Sequence, residues 1–116
     1  MDFEKLVQLC GSLKGAEDTY PFGPEHVVWK VAGKMFALHD ALNPETINLK
    51  CDPDRAAELR AEYDGIQPGY HMNKKHWNTV SLRSDVPAQL LTELVQHSYD
   101  LVVLSLTKKQ RDELAG

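Results

Sequence analysis

His26–His39 reads HVVWKVAGKMFALH, and the period of this stretch decides the fold. Val27, Trp29 and Val31 alternate with His26, Val28 and Lys30; after Ala32-Gly33, Phe36 and Leu38 alternate with Met35 and Ala37. A period of two marks half-buried strands, and a short Gly-containing break between two such runs marks a hairpin. A two-residue loop sets Trp29 opposite Phe36 and Val27 opposite Leu38. One face is then strongly apolar. The other carries His26, Lys30 and His39 among smaller apolar groups.

Upstream, Phe3, Leu6, Val7, Cys10 and Leu13 recur at helical spacing, with Asp2 placed to cap the start and Gly11 or Gly15 the end. Gly15 to Pro24 reads as a loop anchored by Tyr20 and Phe22. Downstream, Asn43-Pro44 turns the chain into TINLK (46–50), with Ile47 and Leu49 inward and Thr46, Asn48 and Lys50 outward. Asp52-Pro53 opens a helix, since proline is tolerated at the first helical position, and Asp64-Gly65 closes it. IQPGYH (66–71) and WNTVSL (77–82) read as two strands around a lysine-bearing turn, Pro68 suiting a sheet edge. The last third is helical, with Asp85 as its expected cap and a stripe broad enough for a heavily buried helix. Thr107 and Gln110 have capping-box spacing for a short final helix.

The resulting order is α-βββ-α-ββ-α plus a small terminal helix. The fold class is α+β: one domain over 1–116, a mostly antiparallel five-stranded sheet, and helices packed on one face. A chain of 116 residues with 42% hydrophobic content suits a single core that needs no metal or disulfide.

The net charge of -4 weighs against a dedicated nucleic-acid binder, whose binding domain is usually basic. The distribution is uneven. Residues 1–65 are net -5 and 84–116 net -2, while 66–83 carry Lys74, Lys75 and Arg83 with no acid, net +3. Cys10 and Cys51 form no Cys-x-x-Cys pair and read as free thiols of a cytoplasmic protein. The start, MDFEK, lacks the basic and apolar run of a signal peptide, and no apolar stretch approaches the roughly 20 residues of a membrane span.

Candidate chemistry is sparse. His71 and His76 lie five apart, and His26 and His39 are expected to face each other across the first hairpin. Neither pair has a third ligand at zinc-like spacing, so no metal or other cofactor is expected. Cys10 lies on a buried stripe. Cys51 precedes a helix N-terminus, which lowers a thiol pKa, but Asp52 and Asp54 act against that. No phosphate loop or nucleophile elbow is present, and no enzymatic activity is expected. In HSYD (97–100), His97, Tyr99 and Asp100 read better as a staple than as an acid–base cluster: His97 shares its stripe with leucines, and buried polar groups must find partners.

PGYHMNKKHWNTV (68–80) followed by LVQHSYDLVVLSL (94–106) resembles the MmcQ/YjbR family of small bacterial proteins, and YPFGPEHVVWKVAGKMFAL (20–38) is similar to that family's early hairpin. The resemblance covers essentially the whole chain. It implies a fold like the type III secretion chaperones, in the order read above, and a DNA-binding role in which two hairpins act as a double wing. It implies no catalytic residue.

The expected site is therefore a cationic rim of Lys30, Lys34, Lys74 and Lys75, with His71, His76 and Trp77 beside it. Trp77 and Thr79 point away from the inward Val80 and Leu82, so Trp77 is placed to stack on a base while cations hold phosphate. Four phosphate contacts give a slope of about -3 to -4 in log K against log salt, the signature of modest, sequence-tolerant DNA binding. Two other readings stand beside it: a protein-interaction or chaperone-like module, and a small-anion binder built on His71, His76 and Trp77. The chain is expected to be a monomer or homodimer with no membrane partner.

Overall fold

The computed structural model describes residues 1–42, 44–70 and 72–116. Among these the chain runs α1 (Phe3–Ser12), β1 (Ala16–Thr19), β2 (His26–Val31), β3 (Lys34–Asp40), β4 (Thr46–Lys50), α2 (Pro53–Glu62), β5 (Ile66–Pro68), β6 (Trp77–Ser81), α3 (Ala88–Leu104) and α4 (Lys108–Ala115). All strand pairs are antiparallel, in the order β1-β2-β3-β4-β6-β5. The class is α+β as expected, but the sheet has six strands rather than five. The added strand is β1, Ala-Glu-Asp-Thr, inside the stretch read as a loop. It has no apolar alternation because it lies at the sheet edge, where charged residues are favoured.

α1 and α3 cover one face of the sheet, α3 lying across β2, β3 and β4, while α2 packs against β5. The core between them includes Leu6, Cys10, Phe36, Ile47, Ile66, Leu91, Val95 and Val102. Fully burying an aliphatic side chain of this size contributes about 1.5–3 kcal/mol. The caps of α1, α2 and α4 are the expected ones: Asp2 accepts from Lys5 N, Asp52 from Arg55 N, and Thr107 and Gln110 form a reciprocal capping box. α3 differs. Its N-cap is Pro87, with no side-chain bond. Asp85 instead accepts from the backbone N–H groups of Asp64 and Gly65, both at 2.8 Å, and these bonds hold its carboxyl below the usual range.

The first hairpin contains a register shift that alternation alone does not reveal. Val31 pairs with Lys34 and Lys30 with Met35, but Trp29 pairs with Ala37 and Val27 with His39. Phe36 is the extra residue of a β-bulge, which disrupts alternation locally. Phe36 and Ala37 are both fully buried as a result. The expected pairs Trp29–Phe36 and Val27–Leu38 are therefore shifted by one residue. His39 moves to the helix-covered face, and Leu38 to the other.

The bulge also leaves a gap in the ladder between β3 and β4, and Ser98 of α3 fills it. Its hydroxyl donates to the Phe36 carbonyl at 2.5 Å and accepts from Lys50 N at 2.9 Å. Buried backbone groups need such partners, and here a fully buried serine supplies both.

Candidate nucleic-acid interface

The antiparallel pairing fixes where the two lysine-bearing turns lie. Ala37 pairs with Leu49, and Lys50 pairs with Trp77, so β3 begins where β4 ends and β6 begins. The Ala32-Gly33 turn and the 69–76 connection are thus at the same end of the sheet, with β4 between them. Three strand spacings of about 4.8 Å put them about 14 Å apart.

The turns differ in construction. Ala32 has φ 49° and Gly33 φ 78°, so both central residues are left-handed, as in the hairpin turns that match sheet twist. Lys34, just beyond, does not project as a free tip. Its Nζ donates to the Ser105 carbonyl at 3.2 Å, at the C-terminal end of α3, where a cation is favoured by the helix dipole. Lys30 lies on the opposite, uncovered face of the sheet, paired across the strands with Glu17 and Met35.

The second turn is tied down. Asn73 accepts through its carbonyl from His76 N and Trp77 N, and through its side chain from Lys75 N. Lys74 Nζ folds back to the Gly69 carbonyl at 3.1 Å, and Arg60 of α2 donates to the Lys74 carbonyl at 2.9 Å. Gly69 is required by close approach: a Cβ there would lie 2.8 Å from Trp77 Cβ and 2.9 Å from its carbonyl oxygen. Lys75 is exposed, His76 and Trp77 are half-buried, and the His76 carbonyl accepts from Cys51 N. His71 lies outside the described residues.

The four lysines expected to form a rim therefore do not share one face. Lys34 faces the helices, whereas Lys30 and Trp77 share the uncovered face, with Lys74, Lys75 and His76 in the turn beside them. Register adds a member that was not expected in the site. Lys50 is directly opposite Trp77 on the uncovered face, so Lys30, Met35, Lys50 and Trp77 follow one another across four neighbouring strands. The alternation of TINLK already turned Lys50 outward; only strand order brings it beside Trp77. Two residues along, Leu38, Asn48 and Thr79 form the next row. A hollow of about 340 Å³ lies over that row, and a second of about 310 Å³ adjoins it, the two sharing His26 and Leu38. Phe22 and Met72 line the second, and Phe22 is exposed there rather than anchoring its loop.

The histidines are separated by the same register shift. His26 pairs with Asp40, their side chains 3.2 Å apart, and does not face His39. His39 is buried between two hydrogen bonds: Trp29 Nε1 donates to its Nε2 at 2.9 Å, and its Nδ1 lies 2.7 Å from the Asp40 carbonyl. That arrangement selects the neutral ring with the proton on Nδ1. Burial lowers the His39 pKa, against the opposing pull of the Asp40 carbonyl and carboxylate. Among the described residues no three His, Cys, Asp or Glu side chains gather as a metal set. Burial pushes the Cys10 thiol up to about 12, and burial also raises Cys51, whose position before α2 does not activate it.

HSYD is a staple in this structure. His97 Nε2 accepts from Asp52 N at the start of α2, Ser98 fills the bulge gap, and the Tyr99 hydroxyl donates to the Lys14 carbonyl. Asp100 accepts from Gln96 rather than from His97 or the lysine turn.

The YjbR family model matches residues 11–101, which span both turns, the uncovered face and most of α3. The chain belongs to the YjbR family. Uncharacterized protein YbdF of Escherichia coli O157:H7 is 40% identical over 93% of this chain and 89% of its own length. Uncharacterized protein YjbR of Escherichia coli K12 is 31% identical over 96% and 95%. The crystal structure of Deinococcus radiodurans protein DR2400, with a DUF419 domain, superposes at a TM-score of 0.89 with 44% identity, covering 97% of this chain and 86% of that one. A Pseudomonas syringae protein superposes at 0.74 with 27% identity, covering 87% and 98%. Among the described residues no helix is long and apolar enough to cross a membrane.

Proposed function

We propose that this YjbR-family domain is a non-enzymatic nucleic-acid-binding module that uses the uncovered sheet face between its two turns. The observation that carries this reading is the Lys50–Trp77 pair, with Lys30 and Met35 continuing the row and Lys74 and Lys75 at its border. Cations alternating with a ring and a thioether suit a flexible single strand, whose phosphates need charge and whose bases need stacking surface. The surrounding acidic surface limits the affinity and confines binding to this face. Three to four phosphate contacts to single-stranded DNA give a salt slope of about -2 to -3.

Fluorescence anisotropy with labelled single- and double-stranded DNA at low salt, followed by a salt titration, tests it. Lys50→Glu and the Lys74→Glu/Lys75→Glu pair are expected to weaken single-strand binding at least tenfold. Lys34→Glu is expected to have the smaller effect, because Lys34 points to α3. Equal losses for Lys34→Glu and Lys50→Glu would favour two free wings over the sheet face. No binding at low salt would remove the nucleic-acid reading and leave the protein-interaction module, for which exposed Phe22 on the same face is the supporting observation.

A further inference from the structure

The hollow beside the cationic row has its own chemistry. Its floor is Leu38 and the Asn48–Thr79 pair, its polar end is Asp40 and Thr46, and Tyr70 lines it from the β5–β6 connection. At about 340 Å³ it lies at the lower end of the size range for small-molecule sites, about 300–1,000 Å³.

The hydrogen bonds around it orient its donors and acceptors. Thr79 Oγ1 accepts from Tyr70 N at 2.9 Å and donates to Asn48 Oδ1 at 2.5 Å. With Oδ1 engaged, Asn48 presents its amide NH2 as donor. Asp40 Oδ1 is 3.2 Å from His26 Nδ1, which leaves Oδ2 as acceptor. Asp40 and Asn48 stand on adjacent strands, one row apart, so a donor and an acceptor address the same space. Lys50 is two residues from Asn48 on β4, about 7 Å along the same face.

We propose that this hollow is a base subsite of the single-strand surface, and that it takes an unpaired base whose Watson–Crick edge sets an exocyclic amino group next to a ring acceptor, cytosine or adenine. Asp40 accepts from the amino group and Asn48 donates to the neighbouring acceptor. Leu38 and Tyr70 border the ring, while Lys50 meets the attached phosphate. Thymine offers a carbonyl where the amino group belongs and confronts the Asp40 carboxylate with a second acceptor. The subsite rests on the nucleic-acid reading above and adds a base preference to it.

Two measurements separate this inference from that reading. In the first, labelled dC10 and dT10 are compared by anisotropy at low salt. The expected result is dC10 binding about tenfold more tightly, the low end of what one well-placed base contact discriminates. Asp40→Ala, at an exposed position, brings the ratio to about one. In the second, cytidine and thymidine, which carry no phosphate, are titrated while amide chemical shifts are followed. Cytidine is expected to move the amides of Leu38, Asp40, Asn48 and Thr79, and thymidine to leave them in place. Equal affinity for the two oligonucleotides with no cytidine response would overturn the subsite and leave the cationic face standing. Cytidine binding without oligonucleotide binding would remove the cationic face as a strand-binding surface, and with it the subsite as a part of one, leaving a pocket for the free nucleoside alone. Silence in both experiments would remove both.

Discussion

The two faces of the sheet are built by different rules. On the helix-covered face, side chains are chosen by volume: Phe36, Ile47, Val80 and Ile66 fill the space under the helices, and the few buried polar groups among the described residues are His39, Ser98 and Asn78, of which Asn78 Oδ1 has no hydrogen-bond partner there. On the uncovered face, Lys30, Lys50, Asn48, Thr79 and Trp77 vary in chemistry and are half-buried. The first face holds the protein together, and the second is available to meet something else. The bulge at Phe36 assigns residues between them: without it, His39 and Leu38 would exchange faces.

The sharpest break of this contrast is Phe36→Ala, expected to cost about 3–5 kcal/mol in urea unfolding because it empties the core. Lys50→Glu, by contrast, is expected to change stability by under about 0.5 kcal/mol while weakening nucleic-acid binding. A Lys50→Glu protein that unfolds as readily as Phe36→Ala would erase the distinction between the faces.

Ser98→Ala comes next. It leaves the Phe36 carbonyl and the Lys50 N–H without their partner, at an expected cost of about 1–3 kcal/mol. A change within experimental error would mean that the β3–β4 ladder closes without the serine.

His39 gives the comparison a pH axis. Its folded pKa lies below its unfolded value, so the folded state binds fewer protons. The stability it contributes is complete above the unfolded pKa of about 6.5 and is lost as pH falls through the folded value. His97, also lowered by burial and by nearby Arg55, acts in the same direction. Urea midpoints are expected to fall between pH 7.5 and 5, with Trp29 emission reporting loss of its bond to His39. A His39→Gln protein with the same slope would assign the effect elsewhere.

The smallest effect belongs to the first turn. Ala32 holds a left-handed φ, which asparagine accepts more readily, and Asn-Gly is a strong hairpin dipeptide. Ala32→Asn is expected to raise stability by about 0.5–1 kcal/mol in thermal melts without altering binding.

How far the sequence was legible follows the same division. Helices and inner strands were readable because one buried stripe imposes a period on them: Leu6 and Cys10 on α1, Ile47 and Leu49 on β4. β1 was not, because an edge strand of four residues has no stripe to show. The bulge was hidden because Phe36 and Ala37 are both apolar, so the local pattern fits either register. The site was half legible. Lys74, Lys75, His76 and Trp77 cluster in the chain itself, but Lys50 joins them only through the order β3-β4-β6. Lys34 was misplaced because its partner, the Ser105 carbonyl, is 71 residues away.

The margins of the sheet carry a last consequence. β5 spans three residues and ends in Pro68, which has no N–H to offer a neighbouring strand. β1 spans four and carries Glu17 and Asp18. Neither border is an inviting template for an extra strand, which disfavours sideways growth of the sheet and capture of an extended peptide by backbone pairing. What the sheet offers its surroundings is accordingly the side chains of its broad face rather than the backbone of its margins.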